Sequence, residues 1–562
     1  MAVAVCFSTV ALAQQRPDAG SILEQQQQRE RLPPAPSTAP VLPQVTPAKP
    51  AMAPSSTVRV TVKAFRFSGS TVIPAAELAT VVQEYVGKTL NFNELNDAAG
   101  RVQRYYRGKG YFLAVAYLPQ QEIGSGTVEI AVLEGRLGSV NLQTAPGTRL
   151  KQSFAQGMLD AHLKPGDVVT EKSLERPLLL MQDLPGIAVS SALGPNPTQV
   201  GAADLTVRLT ENPRRVTGYV DFDNGGNRFT GEYRLGLNLN ASNITGYGDL
   251  LSFRGFVSDE NMKFGRISYV IPVLHHGTKV GVSYTYFDYR LEKEFAALQA
   301  HGEGEVAAAY VSHPLLRTRN ANFLVQLGVE EKKLRDRVDS AAVIDDKKVS
   351  STRLGGAGDF RDGLFSGGLN SYAVNYTAGT VRIENAALLA ADQAAGTGLR
   401  TSGSFSKINL DARRLQRISD NFSLLVAASA QAASKNLSAS EKISLGGPNG
   451  VRAYPVGEAP GDDGFLFTTE LRYVVPRFTL LGGEVTASVF YDMGRMRTNE
   501  QPLAANVANN RSIAGMGLGL SVGREGNYLV RASIATPTEN ETAVSDTAKR
   551  DPRLWLQAVK WF

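Results

Sequence analysis

The sequence predicts a mainly-β chain: a C-terminal transmembrane barrel of sixteen strands, preceded by two small α/β modules and a short N-terminal plug helix. Three observations predict it. The mean hydropathy is −0.15, and after residue 13 no apolar run reaches the ~18 residues that a spanning helix needs. Residues 213–562 alternate apolar and polar side chains in segment after segment, the pattern of strands with lipid on one side and water on the other. Between residues 58 and 212 the order strand, helix, helix, strand, strand occurs twice, which reads as two compact modules.

Composition removes several function classes. The 562 residues carry 59 Lys+Arg and 53 Asp+Glu, a net charge of +6. The two signs are interleaved, so no basic face is marked for nucleic acid. The single cysteine, Cys6, lies in the predicted leader, which leaves no disulfide framework and no thiolate site. His162, His275, His276, His301 and His313 lack metal-ligand spacing, so neither metal nor cofactor is expected. Gly87-Lys88-Thr89 resembles the end of a phosphate loop, but Val82 stands where the earlier glycine belongs, and no GxSxG occurs. No enzyme is indicated.

Residues 1–13 end in Ala11-Leu12-Ala13 after a short apolar stretch, the form of a cleaved signal peptide. Residues 14–32 follow as the plug helix, with Ser21 read as its cap and Glu24 three positions on. Its apolar residues are only Ile22, Leu23 and Leu32, too few for a core. It is therefore expected to be leashed rather than packed, by the proline-rich linker 33–57.

Module one (58–135) opens on the alternating stretch VRVTVKAFRFSGST, read as one strand, and continues through two helices to YFLAVAYLP and GTVEIAVLEG. Module two (136–212) repeats the order from LGSVNLQ to ADLTVRLTE. The residues that punctuate them are Gly110-Tyr111-Phe112, Pro119-Gln120 and Val132-Leu133-Glu134-Gly135, then Leu174-Glu175-Arg176, Leu184-Pro185-Gly186 and Gly194-Pro195. In this joint order they resemble the POTRA modules of two-partner secretion transporters, the outer-membrane partners that export haemolysins and filamentous adhesins. A three-stranded sheet has two edges, and an extended client can pair with one without a particular sequence. The sequence leaves open which edge that is.

In the barrel region, Tyr233, Leu235, Leu237 and Leu239 oppose Arg234, Gly236, Asn238 and Asn240. Val280, Val282, Tyr284 and Tyr286 repeat the pattern, and so do Phe422, Leu424 and Val426. About sixteen such segments fit a channel-sized barrel. The last segment ends on Phe562, with Leu554 and Leu556 on its outer face. It resembles the C-terminal signal by which outer-membrane barrels are inserted, with Lys560 as a departure.

The long Gly/Pro-rich stretch 445–464 holds Val451-Arg452-Ala453-Tyr454, and a loop of this length is expected to be either disordered or functional. It resembles the VRGY/F loop of the same superfamily, which folds back into the barrel; Ala453 replaces the usual glycine. Phe490-Tyr491-Asp492-Met493-Gly494 matches the F-x-D-x-G strand motif that faces it. An arginine confined in a lumen needs a counter-charge. Strand parity places Phe490, Asp492 and Gly494 inside, along with Glu470 and Arg472. The expected latch is Arg452 with Asp492, Glu470 nearby.

The resemblance implies an outer-membrane pore that secretes a partner exoprotein carrying an N-terminal secretion domain, without ATP, the modules lying in the periplasm. It implies two further partners, outer-membrane lipid and the machinery that inserts barrels. A factor that itself inserts barrels is the alternative. A porin or a barrel enzyme gives no reason for two such modules.

Overall fold

A computed structural model describes residues 16–30, 59–503, 508–546, 548 and 550–562. The predicted signal peptide, the linker 33–57 and the ends of the 14–32 segment lie outside the described residues.

The N-terminal helix α1 spans Ala19–Glu30 and differs from its sequence reading twice. Its cap is Asp18, not Ser21: the Asp18 carboxylate accepts Ser21 N–H at 2.8 Å, while the Ser21 hydroxyl donates to the Asp18 carbonyl at 2.9 Å. A carboxylate at this position suits the positive end of the helix. Nor is α1 unpacked. Ala19, Ile22 and Leu23 are buried against Phe229, Phe256, Phe264, Phe287 and Tyr289, so the barrel interior supplies the apolar partners that the helix lacks.

In module one, VRVTVKAFRFSGST is two strands, β1 (Arg59–Thr61) and β2 (Ala64–Ser68). The chain changes partner between them: Val62 N–H bonds to the Lys88 carbonyl, and Lys63 N–H to that of Gly126. After α2 (Ala75–Val81), β3 (Thr89–Asn91) pairs with β1. The helix α3 (Phe92–Gly108) then leads to β4 (Val115–Tyr117) and β5 (Thr127–Leu133). The main sheet has the order β2-β5-β4. An Asn91/Glu94 capping box opens α3, and Leu95, Ala98, Ala99, Val102 and Tyr106 bury one face of it against this sheet.

Module two contains β6 (Arg136–Thr144), α4 (Gln152–Asp160), α5 (Glu171–Gln182), β7 (Ile187–Pro195) and β8 (Ala202–Glu211). Its sheet order is β6-β8-β7. In each sheet the two outer strands pair on one side only, so each module presents two edges among the described residues.

Glu134, in the turn between the modules, is nearly inaccessible. It accepts Thr71 N–H at 2.6 Å, Val72 N–H at 2.8 Å, the Thr71 hydroxyl, and Tyr106 Oη–H at 3.2 Å. Burial alone would raise its pKa, but these donors outweigh burial and hold the carboxyl below its ordinary value of 4.5. A depressed folded pKa contributes stability that is complete above the unfolded value and is lost as pH falls through the folded one. The expected result is weaker protection of residues 59–135 in rate-corrected hydrogen exchange as the pH drops below 4.5. Glu134→Gln should flatten that dependence, and an unchanged slope would remove Glu134 as its source.

The barrel strands run β9 (Val216–Asp223), β10 (Arg234–Ser242), β11 (Leu250–Ser258), β12 (Lys263–Pro272), β13 (Lys279–Arg290) and β14 (Ala300–Arg317). Next come β15 (Ala321–Val338), β16 (Val343–Asp362), β17 (Gly368–Ile383), β18 (Gly403–Arg417) and β19 (Phe422–Ala433). The last five are β20 (Asp463–Leu480), β21 (Gly483–Arg497), β22 (Asn510–Arg524), β23 (Tyr528–Pro537) and β24 (Arg553–Trp561). Each pairs antiparallel with its neighbours, and β24 returns to β9 to close a sixteen-stranded barrel. Leu235, Val282, Leu327 and Leu518 are exposed on the outer wall, whereas Arg234, Thr285, Lys332 and Asp492 are buried within. That is the alternation of a barrel in lipid. No described helix is long and apolar enough to cross a membrane. Phe562 exchanges both main-chain hydrogen bonds with Gly218 at 3.0 and 3.1 Å, extending the β24–β9 seam to the chain's last residue.

Module two is fastened to the base of the barrel. Arg317 makes two 2.7 Å bonds to the Asp183 carboxylate, Arg319 Nε reaches Glu175 at 2.6 Å, and Arg176 donates to the Pro314 carbonyl at 2.7 Å. Two of these groups come from the Leu174-Glu175-Arg176 motif.

Candidate functional site: the plugged lumen

The segment between β19 and β20 folds into the lumen. Val451 N–H bonds to the Leu445 carbonyl at 2.7 Å and Tyr454 N–H to the Val451 carbonyl at 3.0 Å. These bonds make a tight turn that thrusts Arg452 at the wall. Val451, Ala453 and Tyr454 are buried with Leu445, Phe490 and Ile513, so the loop has a small core of its own. Ala453 is not among the residues with positive φ, which is why alanine is accepted there. Tyr454 Oη–H donates to the Glu541 carbonyl at 3.0 Å.

Arg452 meets every partner that the sequence placed near it. Its Nε and Nη2 donate to the two oxygens of Asp492 at 2.8 and 2.9 Å, and its Nη1 donates to Glu470 at 2.7 Å. Its own N–H also bonds to Asp492, at 3.2 Å. Cζ lies 3.2 Å from the centre of the Phe490 ring, a cation–π contact. Glu470 is shared with Arg472 at 2.7 Å. Gly494 belongs to the site sterically, since a Cβ there would lie 2.7 Å from Leu445 Cδ2.

Sequence reasoning missed three further contacts. Trp555 on β24 donates its Nε1–H to the Arg452 carbonyl at 2.7 Å; its inward parity, opposite Leu554 and Leu556, was the available signal. Glu458 is fully buried and accepts Val544 N–H at 3.1 Å, Ser545 N–H at 2.8 Å and Arg511 at 2.5 Å. Glu441, in a short 3-10 turn at 439–441, takes Lys332 of β15 at 2.6 Å and Lys407 of β18 at 2.8 Å. Lys407 also bonds to the Glu441 carbonyl at 2.7 Å. Side-chain exposure in this triad is 1% for Lys332, 2% for Glu441 and 7% for Lys407. The loop is thus pinned to two separate parts of the wall, by Arg452 on one and by Glu441 on the other.

The helix α1 covers the second pin. A Cβ at Gly20 would lie 2.8 Å from Ser440 N, so backbone meets backbone there. The Glu24 carboxylate accepts the Ser444 hydroxyl at 3.0 Å, and Ala19 N–H bonds to Asp336 of β15 at 2.9 Å. Helix and loop pack against each other inside the barrel.

Comparison with known proteins matches residues 60–135 to the ShlB-type POTRA domain. Residues 201–522, more than half of the chain, match the family of haemolysin secretion/activation proteins ShlB/FhaC/HecB. The chain belongs to this family. Among its relatives, the heme/hemopexin transporter protein HuxB of Haemophilus influenzae is 29% identical over 489 residues, 86% of this chain and 84% of its own length. The outer membrane transporter CdiB of Dickeya dadantii is 23% identical over 454 residues, 78% of this chain and 77% of its own. In fold, the structure of CdiB from Escherichia coli superimposes with a TM-score of 0.73 at 21% identity, covering 98% of this chain and all of that one. BamA from Haemophilus ducreyi lacking POTRA domains 1–3 reaches 0.51 at 15% identity over 89% of this chain, a weaker likeness of fold. The family member described here is an outer-membrane two-partner secretion transporter with its modules in the periplasm. Its relatives are transporters, in keeping with the lack of any enzyme motif in the sequence.

Proposed function

We propose that this transporter exports a single exoprotein of the haemolysin or adhesin type, which the periplasmic modules capture by its N-terminal secretion domain and pass extended through the lumen. One observation carries the reading: a channel-sized barrel holds in its lumen a loop pinned by ion pairs, contacts that can exchange for water, and a helix seated on that loop. Client strands add to a free edge of one of the two module sheets by main-chain pairing. Arg452, with Val451 and Tyr454 shaping its turn, latches the loop to Phe490, Asp492, Gly494 and Glu470. The helix α1 and this loop move aside for the client, and folding beyond the membrane pulls the chain forward without ATP. Phe562 marks the barrel for the insertion machinery.

The test is a pull-down of the client encoded beside the transporter gene. A chain lacking residues 58–135 is expected to retain little client while its barrel stays heat-modifiable. Undiminished capture would move recognition to module two or the barrel.

A further inference from the structure

The outer wall carries a second chemistry on β15, β16 and β17, close to their extracellular ends. β9 starts directly after the periplasmic module and every pairing is antiparallel, so β15 and β17 run outward and β16 runs back. Near the tops of these strands Lys333 stands directly opposite Lys348, and Lys348 directly opposite Arg382. All three are exposed. Like charges in adjacent cross-strand positions repel one another. The protein offsets this in part: Glu384 reaches Lys348 at 3.1 Å and Glu305 faces Lys333 across the β14–β15 ladder, while Lys333 and Arg382 have no carboxylate in ion-pair range among the described residues. Asp346 and Glu303, one row further out, both engage Arg335. Glu305 of β14 stands directly opposite Lys333, and Glu331 lies two residues below it on β15, leaving β16 and β17 as the open flank of the row.

The pairs below this row change in a fixed sequence towards the membrane. Under Lys348 and Arg382 come the hydroxyl pair Ser350 and Thr380, then Thr352 and Ala378, then Leu354 and Tyr376. Leu354 and Tyr376 are 58% and 49% exposed on the lipid side. Cations, hydroxyls and apolar groups stacked along one stripe match the phosphate, sugar and acyl parts of a phosphorylated glycolipid, the lipid class of the bacterial outer leaflet. A free anion would use only the top row.

We propose that Lys333, Lys348 and Arg382 form a seat for the phosphate of an outer-leaflet glycolipid, whose sugars lie over Ser350 and Thr380 and whose chains lie along Leu354 and Tyr376. Lys348 and Arg382 flank the phosphate and Lys333 closes it from β15. The lipid adds a counter-charge at the Lys333–Lys348 and Lys348–Arg382 contacts, and so braces the long extracellular wall formed by these strands. The seat rests on the outer-membrane location and not on how the lumen opens.

The test uses the full chain in detergent, with purified bis-phosphorylated lipid A and its enzymatically dephosphorylated form as probes, read by native mass spectrometry. The combined Lys333→Ser, Lys348→Ser, Arg382→Ser variant is expected to retain phosphorylated lipid about ten-fold less than the parent chain, the scale of one lost charge-assisted contact or more. Lys333→Arg with Lys348→Arg should retain it fully, and dephosphorylated lipid should bind the parent chain no better than it binds the triple variant. Should the triple variant lose heat-modifiability, Arg382→Ser alone, at the edge of the row, is read instead and should show a partial loss. Equal retention by a folded variant, or equal binding of the dephosphorylated form, overturns the seat. Displacement of lipid by millimolar inorganic phosphate would reassign it to free anions.

Discussion

Deleting residues 16–30 is expected to raise the single-channel conductance of the transporter in planar bilayers several-fold. The helix α1 occupies lumen cross-section, and its apolar face is packed on the aromatic wall around Phe264 and Phe287. Its removal also exposes the Glu441 turn that it covers. While α1 is in place, Lys332 and Glu441 are almost wholly inaccessible. Taking away one partner of such a pair costs ~3–5 kcal/mol, because the other charge is left buried. Glu441→Gln should therefore give frequent transient openings even with α1 present. Once α1 is gone, lumen water reaches the triad and the pair contributes only ~0–1 kcal/mol, as solvated pairs do. The two changes should be markedly non-additive: Glu441→Gln added to the deletion should do almost nothing more. A deletion variant with the parent conductance would mean that the loop alone blocks the pore, and α1 would then not be the plug.

What was legible in the sequence and what was not divide along a physical line. Strand parity is local: once Leu235 faces lipid, Arg234 must face the lumen, and the same rule put Asp492, Glu470 and Phe490 on one surface. Pairing Arg452 with them rested on that surface together with the resemblance of residues 451–454 and 490–494 to the family's loop and strand motifs. Contacts set by the third dimension were not available. Nothing around Glu441 shows that Lys332 and Lys407, three strands apart on the wall, converge on it, because that depends on where the loop crosses the lumen. The packing of α1 was misjudged for a related reason. A helix with three apolar residues has no core of its own, yet a barrel lined by Phe229, Phe256 and Phe264 supplies one, and those aromatics lie more than two hundred positions away. The cap failed more simply: Ser21 and Glu24 have the right spacing, but Asp18 stands three residues earlier and takes the role, which frees Glu24 to hold Ser444.

Arg452→Ala and Asp492→Ala are each expected to reduce client secretion to near background while the barrel stays heat-modifiable. Barrel integrity is spared because the β20–β21 ladder runs through main-chain bonds from Asp463 to Val474 that neither side chain makes. The damage falls on the loop. Arg452→Ala removes the side-chain bonds to Glu470 and Asp492 and the Phe490 contact together, and it leaves a carboxylate with no solvent exposure without its counter-charge. Asp492→Ala removes the two-pronged partner of the guanidinium and leaves Glu470 alone to serve two arginines. Each belongs to the ~3–5 kcal/mol class of broken buried pairs, enough to shift the loop from one seated position to many. A client entering the lumen then meets a loop without register instead of one that swings aside as a unit. Arg452→Lys separates charge from geometry. An ammonium can reach one carboxylate, but it cannot make the two-pronged bond to Asp492 while lying flat on Phe490, so secretion should be intermediate. Wild-type secretion by the lysine variant would reduce the site to a single charge contact, and wild-type secretion by both alanine variants would mean that the loop needs no latch.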